Sequence, residues 1–118
     1  MLSIRARGLR FIMRRAKPNE ERTLEEDREH FKKITRYPPP KTVSYEKVIL
    51  NGIPSLRFTP KNPEPNCHIL YLHGGGYMMG SPEIYRSPVG LIARMTNTVV
   101  TAVDYRLAPE NPYPAGIE

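Results

Sequence analysis

The sequence predicts an α/β fold in which a β-hairpin precedes a β-α-β unit. Asn51-Gly52 lies between two β-rich stretches, which is typical of a tight hairpin turn. Two short apolar stretches, at residues 67–73 and 98–103, flank a segment with helical spacing. At 118 residues, the chain has the length of about one small domain.

The hairpin is predicted from VSYEKVIL at residues 43–50 and IPSLRF at residues 53–58. β-branched and aromatic side chains favour strands, and Asn-Gly tolerates the positive φ angles of a two-residue turn. Pro54 has no N–H to donate to a neighbouring strand. We therefore expect the second strand to lie at an edge of the sheet, or Pro54 to be its first residue.

The strands of the β-α-β unit are predicted from CHILYLH at residues 67–73 and TVVTAV at residues 98–103. Continuous apolar runs of this length are typical of strands that are buried on both faces. Cys67 starts the first run, where a free cysteine behaves as a small hydrophobic side chain. We expect the two strands to be parallel and joined by a right-handed crossover.

The helix of that unit is predicted over residues 88–96. Ser87-Pro88 has the pattern of an N-cap followed by the first helical position. The segment then continues with apolar or small side chains at helical spacing, namely Val89, Ile92, Ala93 and Thr96.

The net charge of +6 is confined to the N-terminus, because residues 1–17 carry six basic and no acidic side chains. The remaining 12 basic and 12 acidic side chains balance, so nothing indicates a nucleic-acid partner. An apolar face at helical spacing predicts an amphipathic helix over residues 2–16, formed by Leu2, Ala6, Leu9, Met13 and Ala16. Gly8 and the lack of tryptophan favour docking of this helix on its own domain over binding to a membrane surface.

A second helix is predicted after Thr23, which forms a capping-box pattern with Glu26. Acidic side chains in its first turn and basic ones in its last, up to Arg36, suit the helix dipole. The three prolines at residues 38–40 end this helix. We therefore place a boundary between an N-terminal region, residues 1–40, and an α/β domain, residues 41–118.

The glycines of HGGGY, His73 to Tyr77, indicate a site where backbone N–H groups bind a ligand. Glycines after a strand let the backbone turn tightly and leave N–H groups facing a ligand, where they can stabilise developing negative charge. A plain turn or a phosphate loop is the alternative. The Lys-Ser or Lys-Thr of a phosphate loop and the G-x-G-x-x-G of a dinucleotide site are both missing.

HGGGYMMGSPE at residues 73–83 and DYRLAPENPYPA at residues 104–115 resemble the hormone-sensitive lipase family of α/β-hydrolases. The resemblance covers residues 43–118, and the two N-terminal helices are similar to that family's cap region. It implies that Gly75 and Gly76 donate oxyanion hydrogen bonds and that Gly74 allows the turn. It also implies that His73 shapes the loop and is not the general base.

Tyr77, Met78 and Met79 follow the glycines, so we expect them to line the substrate pocket or the base of the cap, with packing as the alternative to ligand contact. The resemblance implies a structural role for Asp104 and Arg106, because the catalytic acid of these enzymes follows the nucleophile. No cofactor is implied. His30 and His68 have no partners at metal-ligand spacing, so no metal site is predicted.

The nucleophile is missing, because none of the serines at positions 3, 44, 55, 81 and 87 lies in a G-x-S-x-G motif. We therefore expect the chain to be the N-terminal part of a serine carboxylesterase of short-chain esters, inactive on its own. We expect it to bind an ester substrate only when a C-terminal part completes the enzyme. The family's strand order then leaves Tyr71 and its neighbours on an open apolar edge.

A non-catalytic module is the alternative function, with a partner chain at that open edge or a membrane surface at the basic helix. A single cysteine and no apolar run of about 20 residues lead us to expect a cytoplasmic protein without disulfides or a membrane span.

Overall fold

A computed structural model describes residues 22–34 and 37–118. The elements in chain order are α1 Leu24–Ile34, β1 Val43–Leu50, β2 Ile53–Pro60, β3 His68–Leu72, α2 Arg86–Thr96 and β4 Val99–Val103. The strands form one sheet in the order β1-β2-β4-β3. The predicted α/β class is confirmed. The basic helix predicted over residues 2–16 lies outside the described residues.

The hairpin of β1 and β2 has the predicted two-residue turn. Leu50 is opposite Ile53, and Asn51 and Gly52 between them have φ angles of 48° and 82°. Both angles are positive, which matches the right-handed twist of the flanking strands.

The expectation for Pro54 is wrong. β2 is an interior strand, paired with β1 on one side and β4 on the other, and Pro54 is its second residue. Pairing with β4 starts only at Ser55, and the Pro54 carbonyl accepts the N–H of Asp104 at 3.0 Å, just beyond the end of β4. The N–H and C=O of one residue in an antiparallel strand face the same neighbour, so the missing N–H of Pro54 faces Asp104, past the end of β4, where no ladder bond is needed.

β3 and β4 are parallel and joined through α2, as predicted. β4 is buried, but β3 is not buried on both faces. It is an edge strand in which Ile69 and Tyr71 are half-buried, whereas Leu70 and Leu72 are 58% and 63% exposed. Cys67, just before β3, is exposed as well. The apolar run was therefore a poor guide to burial, because an edge strand with one covered face has the same composition as a central one.

α2 begins two residues earlier than predicted, at Arg86. Tyr85 is its N-cap and makes no side-chain capping bond. The Ser81 carbonyl accepts the N–H groups of Ile84 and Tyr85, so a turn already leads into the helix before Ser87. Pro88 is tolerated in the first helical turn, because N–H groups there have no partner within the helix.

α1 starts with the predicted capping box. The Thr23 N–H donates to Glu26 Oε2 at 2.8 Å, and the Glu26 N–H donates to Thr23 Oγ1 at 3.3 Å. In the part of the chain that the structure describes, no helix is both long and apolar enough to cross a bilayer.

The core lies between α2 and the inner face of the sheet. Phe58 on β2 is its largest fully buried side chain, and Tyr45 stacks on the Phe58 ring at 5.7 Å between centroids. Buried side chains of the strands β1, β2 and β4 and of the helix α2 complete the core, namely Val43, Leu56, Val89, Ala93, Val100 and Ala102. Gly90 of α2 packs so closely on Pro39 that a Cβ atom would lie 2.8 Å from its ring.

Replacing Phe58 with alanine tests this core. We expect Phe58→Ala to lower the free energy of unfolding by about 3 to 5 kcal/mol, because a whole buried ring is lost. Tyr113→Ala is the matched aromatic control, since Tyr113 is 87% exposed, and it should change the value by less than about 0.5 kcal/mol. Urea unfolding measures both, and equal losses would contradict the assignment of the core.

Candidate active site

The glycine loop, defined as residues 73–80, follows the carboxyl end of β3 and leads through residues 81–85 to α2. Because β3 and β4 are parallel neighbours, their carboxyl ends lie at the same edge of the sheet. Residues that follow β4, from Asp104 onwards, therefore pack against the glycine loop. Crevices at this edge are the usual ligand sites of α/β sheets.

Two tyrosines bind the first carbonyl groups of the glycine loop. The Tyr105 hydroxyl donates to the His73 carbonyl oxygen at 2.6 Å. The Tyr85 hydroxyl donates to the Gly74 carbonyl oxygen at 3.2 Å, and His73 Nδ1 lies 3.0 Å from the same oxygen. A carbonyl oxygen only accepts, so the imidazole tautomer with a proton on Nδ1 donates here.

Backbone N–H groups bind the next carbonyl groups. Gly75 O accepts from the N–H groups of Met78 and Met79, at 3.2 and 3.1 Å, and Tyr77 O accepts from Ala108 N–H at 2.8 Å. In a trans peptide the C=O and the following N–H point in opposite directions. Fixing the carbonyls of Gly74 and Gly75 on the protein therefore directs the N–H groups of Gly75 and Gly76 to the other side.

These two N–H groups are free to bind a ligand. Among the described residues, neither the Gly75 nor the Gly76 N–H donates a hydrogen bond to the protein. Both glycines line a cleft of about 290 Å³ at the carboxyl ends of the strands. The cleft is walled by the loop, by Leu72 and Tyr105, and by Gly116 and Ile117.

Only glycine fits at two positions of the loop. A Cβ atom on Gly75, whose φ is 136°, would lie 1.9 Å from the Met79 carbonyl oxygen. A Cβ on Gly80, with φ 106°, would lie 2.4 Å from His73 Nδ1. Gly76 also has a positive φ of 62°, but a Cβ there would meet no atom within 4 Å. The backbone shape thus requires glycine at Gly75 and Gly80 for lack of space, and favours it at Gly76.

The His73 side chain is buried between two aromatic rings. Tyr105 stacks on it with centroids 4.3 Å apart, and Tyr85 lies on it at 5.8 Å. Its Nε2 is buried and makes no hydrogen bond within the described residues. Within the same residues, no serine hydroxyl forms a hydrogen bond with a histidine. His68 Nε2 lies 2.8 Å from the Thr101 hydroxyl, but Thr101 is only 1% exposed and is therefore out of reach of a substrate.

The two residues predicted to line the pocket are placed differently. Tyr77 is 65% exposed and forms part of the cleft wall, with an unusual positive φ of 61° for a non-glycine residue. Met78 is exposed but is not part of that wall.

Asp104 and Arg106 lie beside the loop rather than in it. Burial and the nearby Glu83 raise the pKa of the Asp104 carboxyl above its usual range, and His73 partly opposes this. Arg106 forms an ion pair with Glu118 at 3.8 Å. No group of three or more histidine, cysteine or acidic side chains suited to a metal occurs within residues 22–34 and 37–118.

Arg28 joins α1 to the loop and was not predicted from the sequence. Its guanidinium forms a two-bond contact with the Glu110 carboxylate, at 2.6 and 2.9 Å, and also donates to the carbonyls of Met78 and Ala108. The hydrogen bond from Arg28 lowers the pKa of Glu110 to about 2. Arg28 follows Thr23 in a plain amphipathic helix, so no local signal identifies it. Tyr85 and Tyr105 were missed as well, because their contacts with the loop carbonyls form only in the folded chain.

Known proteins are similar to this chain in sequence and in fold. A family model described as an alpha/beta hydrolase fold matches residues 69–118. The carboxylesterase NlhH of Mycobacterium tuberculosis is 38% identical over 79 residues, which is 66% of this chain and 24% of that protein. The structure matches that of an esterase/lipase from an uncultured bacterium with a TM-score of 0.86 at 34% identity, covering 98% of this chain and 40% of the other.

The structure of a hormone-sensitive lipase from a metagenome library matches with a TM-score of 0.80 at 32% identity, over 94% of this chain and 37% of the other. The sheet, its crossover and these matches define an α/β hydrolase. The chain belongs to the hormone-sensitive lipase-like family of these proteins. It spans about a quarter of the mycobacterial carboxylesterase and 40% or less of the two solved structures.

Alanine at the loop glycines tests the packing of the glycine loop. Gly76→Ala should lower the free energy of unfolding by about 1 kcal/mol, because its cost is the left-handed backbone alone. Gly75→Ala should cost about 3 kcal/mol or more, since the added methyl overlaps a backbone oxygen and the turn must open. Urea unfolding of the two variants gives the comparison. Equal costs would mean that Gly75 is not held as described.

Titration of Glu110 tests the contact with Arg28. The carboxyl carbon, followed by NMR, should titrate near pH 2 and return towards the ordinary value of 4.5 in Arg28→Ala. Because the folded pKa is depressed, the stabilisation from this pair is present above the unfolded pKa and is lost as the pH falls through about 2. Lys32→Ala, which removes another cation of α1, is the control and should leave the midpoint unchanged. A midpoint near 4.5 in the unaltered chain would refute the contact.

Proposed function

We propose that this chain forms the oxyanion-binding side of a carboxylic ester hydrolase. One observation carries the proposal: the protein binds the carbonyls of Gly74 and Gly75, while the N–H groups of Gly75 and Gly76 stay free beside a cleft. Fixed donors with no protein partner are what an oxyanion site needs, because no bond must be broken before they bind the ligand.

The chemistry assigned to these donors is charge stabilisation. When a nucleophile attacks an ester carbonyl, the carbonyl oxygen gains negative charge, and each well-placed N–H lowers the barrier by about 3 to 4 kcal/mol. An activated serine would form the acyl-enzyme and release the alcohol, and water would then release the acid. His73 keeps the loop in shape, through Nδ1 and the Gly74 carbonyl.

We propose that the 118 residues do not turn over ester on their own, because the sequence offers no serine in the setting of an activated nucleophile. None of the serines lies in a G-x-S-x-G motif. Ser55 is buried and donates to the Ile53 carbonyl at 3.2 Å. Ser81 belongs to the turn before α2, where it accepts the Ile84 N–H.

Short-chain carboxylic esters are the substrates that we propose. The mycobacterial relative is a carboxylesterase, and several other matches are esterases. The cleft beside the loop has a volume of about 290 Å³ and is one side of the ester site that we propose. Tyr77 is one of three large exposed side chains of the cleft wall, with Leu72 and Ile117.

A binding module at the edge of the sheet is the second candidate. Leu70 and Leu72 lie on one face of the edge strand β3 and are both more than half exposed. An apolar edge of this kind pairs readily with another strand. The membrane-surface alternative depends on residues 1–17, which lie outside the described residues.

The chain itself gives the first test. We expect the 118 residues not to hydrolyse a chromogenic short acyl ester. We also expect that a serine-reactive phosphonate does not label them. Stoichiometric labelling would contradict the proposal, because it requires a reactive serine in this chain.

A chimera tests the oxyanion site directly. Residues 69–118 would replace the matching stretch of the mycobacterial carboxylesterase, which supplies its own nucleophile. The chimera should hydrolyse a short ester, and Gly75→Ala within it should lower kcat by about 100-fold or more with little change in KM, because the added methyl opens the turn and moves the Gly75 and Gly76 N–H groups away from the oxyanion. Met95→Ala, on the exposed face of α2, is the control variant and should leave kcat unchanged. A folded chimera whose Gly75→Ala variant keeps full kcat would argue against oxyanion donation.

A further inference from the structure

Arg28 holds three separate parts of the chain together with one guanidinium group. From α1, its Nε donates to the Met78 carbonyl at 2.7 Å, and one terminal nitrogen donates to the Ala108 carbonyl at 2.9 Å. Both terminal nitrogens also donate to the Glu110 carboxylate. The side chain is only 24% exposed, so much of it is packed against the protein.

The bonds of Arg28 reach the glycine loop at two places. One is direct, at the Met78 carbonyl. The other passes through Ala108, whose carbonyl accepts from Arg28 while its N–H donates to the Tyr77 carbonyl. The carbonyls of two successive peptide groups, Tyr77–Met78 and Met78–Met79, are thereby held, and the N–H groups of the same two peptides close the turn on the Gly75 carbonyl.

We propose that Arg28 is a positioning residue for the oxyanion N–H groups, acting through the carbonyls of Tyr77 and Met78. By fixing these carbonyls it keeps the turn on Gly75 closed, which holds the Gly75 carbonyl away from the cleft and the Gly76 N–H towards it. The oxyanion part of this inference rests on the proposed function. The order of the loop can be measured without substrate.

The planar guanidinium suits this role better than another cation would. It presents N–H donors in a fixed fork, so one side chain can bind a carboxylate with two bonds and two carbonyls at the same time. Glu110 neutralises the charge and fixes the plane of the fork. Lysine is a flexible point charge and cannot reach the same acceptors together.

A purely structural role is the competing explanation, because Arg28 also attaches α1 to the domain. Phe31, one turn further along α1, packs edge-on against Tyr85 at 6.2 Å. Loss of α1 docking alone would lower the stability of the whole fold. Loss of positioning would loosen the glycine loop, while the amides of the sheet would stay protected from hydrogen exchange.

Amide hydrogen exchange of the 118-residue chain separates these two explanations. We expect Arg28→Ala to raise the exchange rates of the Met78, Met79 and Ala108 amides by about tenfold or more, because their own hydrogen bonds open more often once Arg28 no longer holds the Met78 and Ala108 carbonyls. The amides of β4 should exchange as before. The Gly75 and Gly76 amide signals should also shift, since their surroundings change when the turn opens.

Three further variants complete the experiment. Arg28→Lys should restore the loop only in part, and Glu110→Gln should give a smaller rise in exchange because the carbonyl bonds of Arg28 remain. Lys32→Ala is the control on the same helix, since Lys32 pairs with Glu29 within α1, and it should leave the loop unchanged.

The proposal is overturned by any of three results: unchanged loop exchange in Arg28→Ala, an equal rise in the loop and in β4, or full restoration by Arg28→Lys. Since no ester is used, these results are independent of the chimera assay. A loose loop in Arg28→Ala together with an inactive chimera would refute the proposed function and leave the positioning of the loop intact.

Discussion

The binding of the loop carbonyls by the protein is the constraint on which the candidate site depends. A peptide group has one donor and one acceptor in fixed opposition, so the partner of the C=O decides where the N–H points. In residues 73–78 the carbonyls of His73, Gly74, Gly75, Tyr77 and Met78 all accept hydrogen bonds from the protein. The free N–H groups of the loop are thus a result of where its oxygens are held.

The partners of those carbonyls come from distant parts of the chain. Tyr85 precedes α2, Tyr105 follows β4, and Arg28 belongs to α1. The parallel pairing of β3 and β4 brings the first two to the loop, because it places the carboxyl ends of both strands side by side. The sheet therefore positions the site, and α1 completes it from outside the sheet.

Local signals predicted much of this fold. Asn51-Gly52 and the Thr23 and Glu26 capping box predicted their elements, since the interactions concerned lie within a few residues. Pro54, the start of α2 and the burial of β3 on both faces were predicted wrongly, because each depends on which strand or turn lies alongside. The open edge at Tyr71, expected from the family resemblance, is confirmed. In the site, the glycines are a local signal of a tight turn, whereas the roles of Arg28 and Tyr105 follow only from tertiary contacts.

The main chain and the side chain of Tyr77 have separate roles: the main chain shapes the loop and the side chain lines the cleft. Its φ of 61° and its carbonyl bond to Ala108 belong to the main chain, while its side chain extends over the cleft. A different side chain at this position would change what the cleft accepts without altering the hydrogen bonds that shape the loop. On the function that we propose, position 77 is thus a point at which the cleft wall can change while the loop keeps its shape.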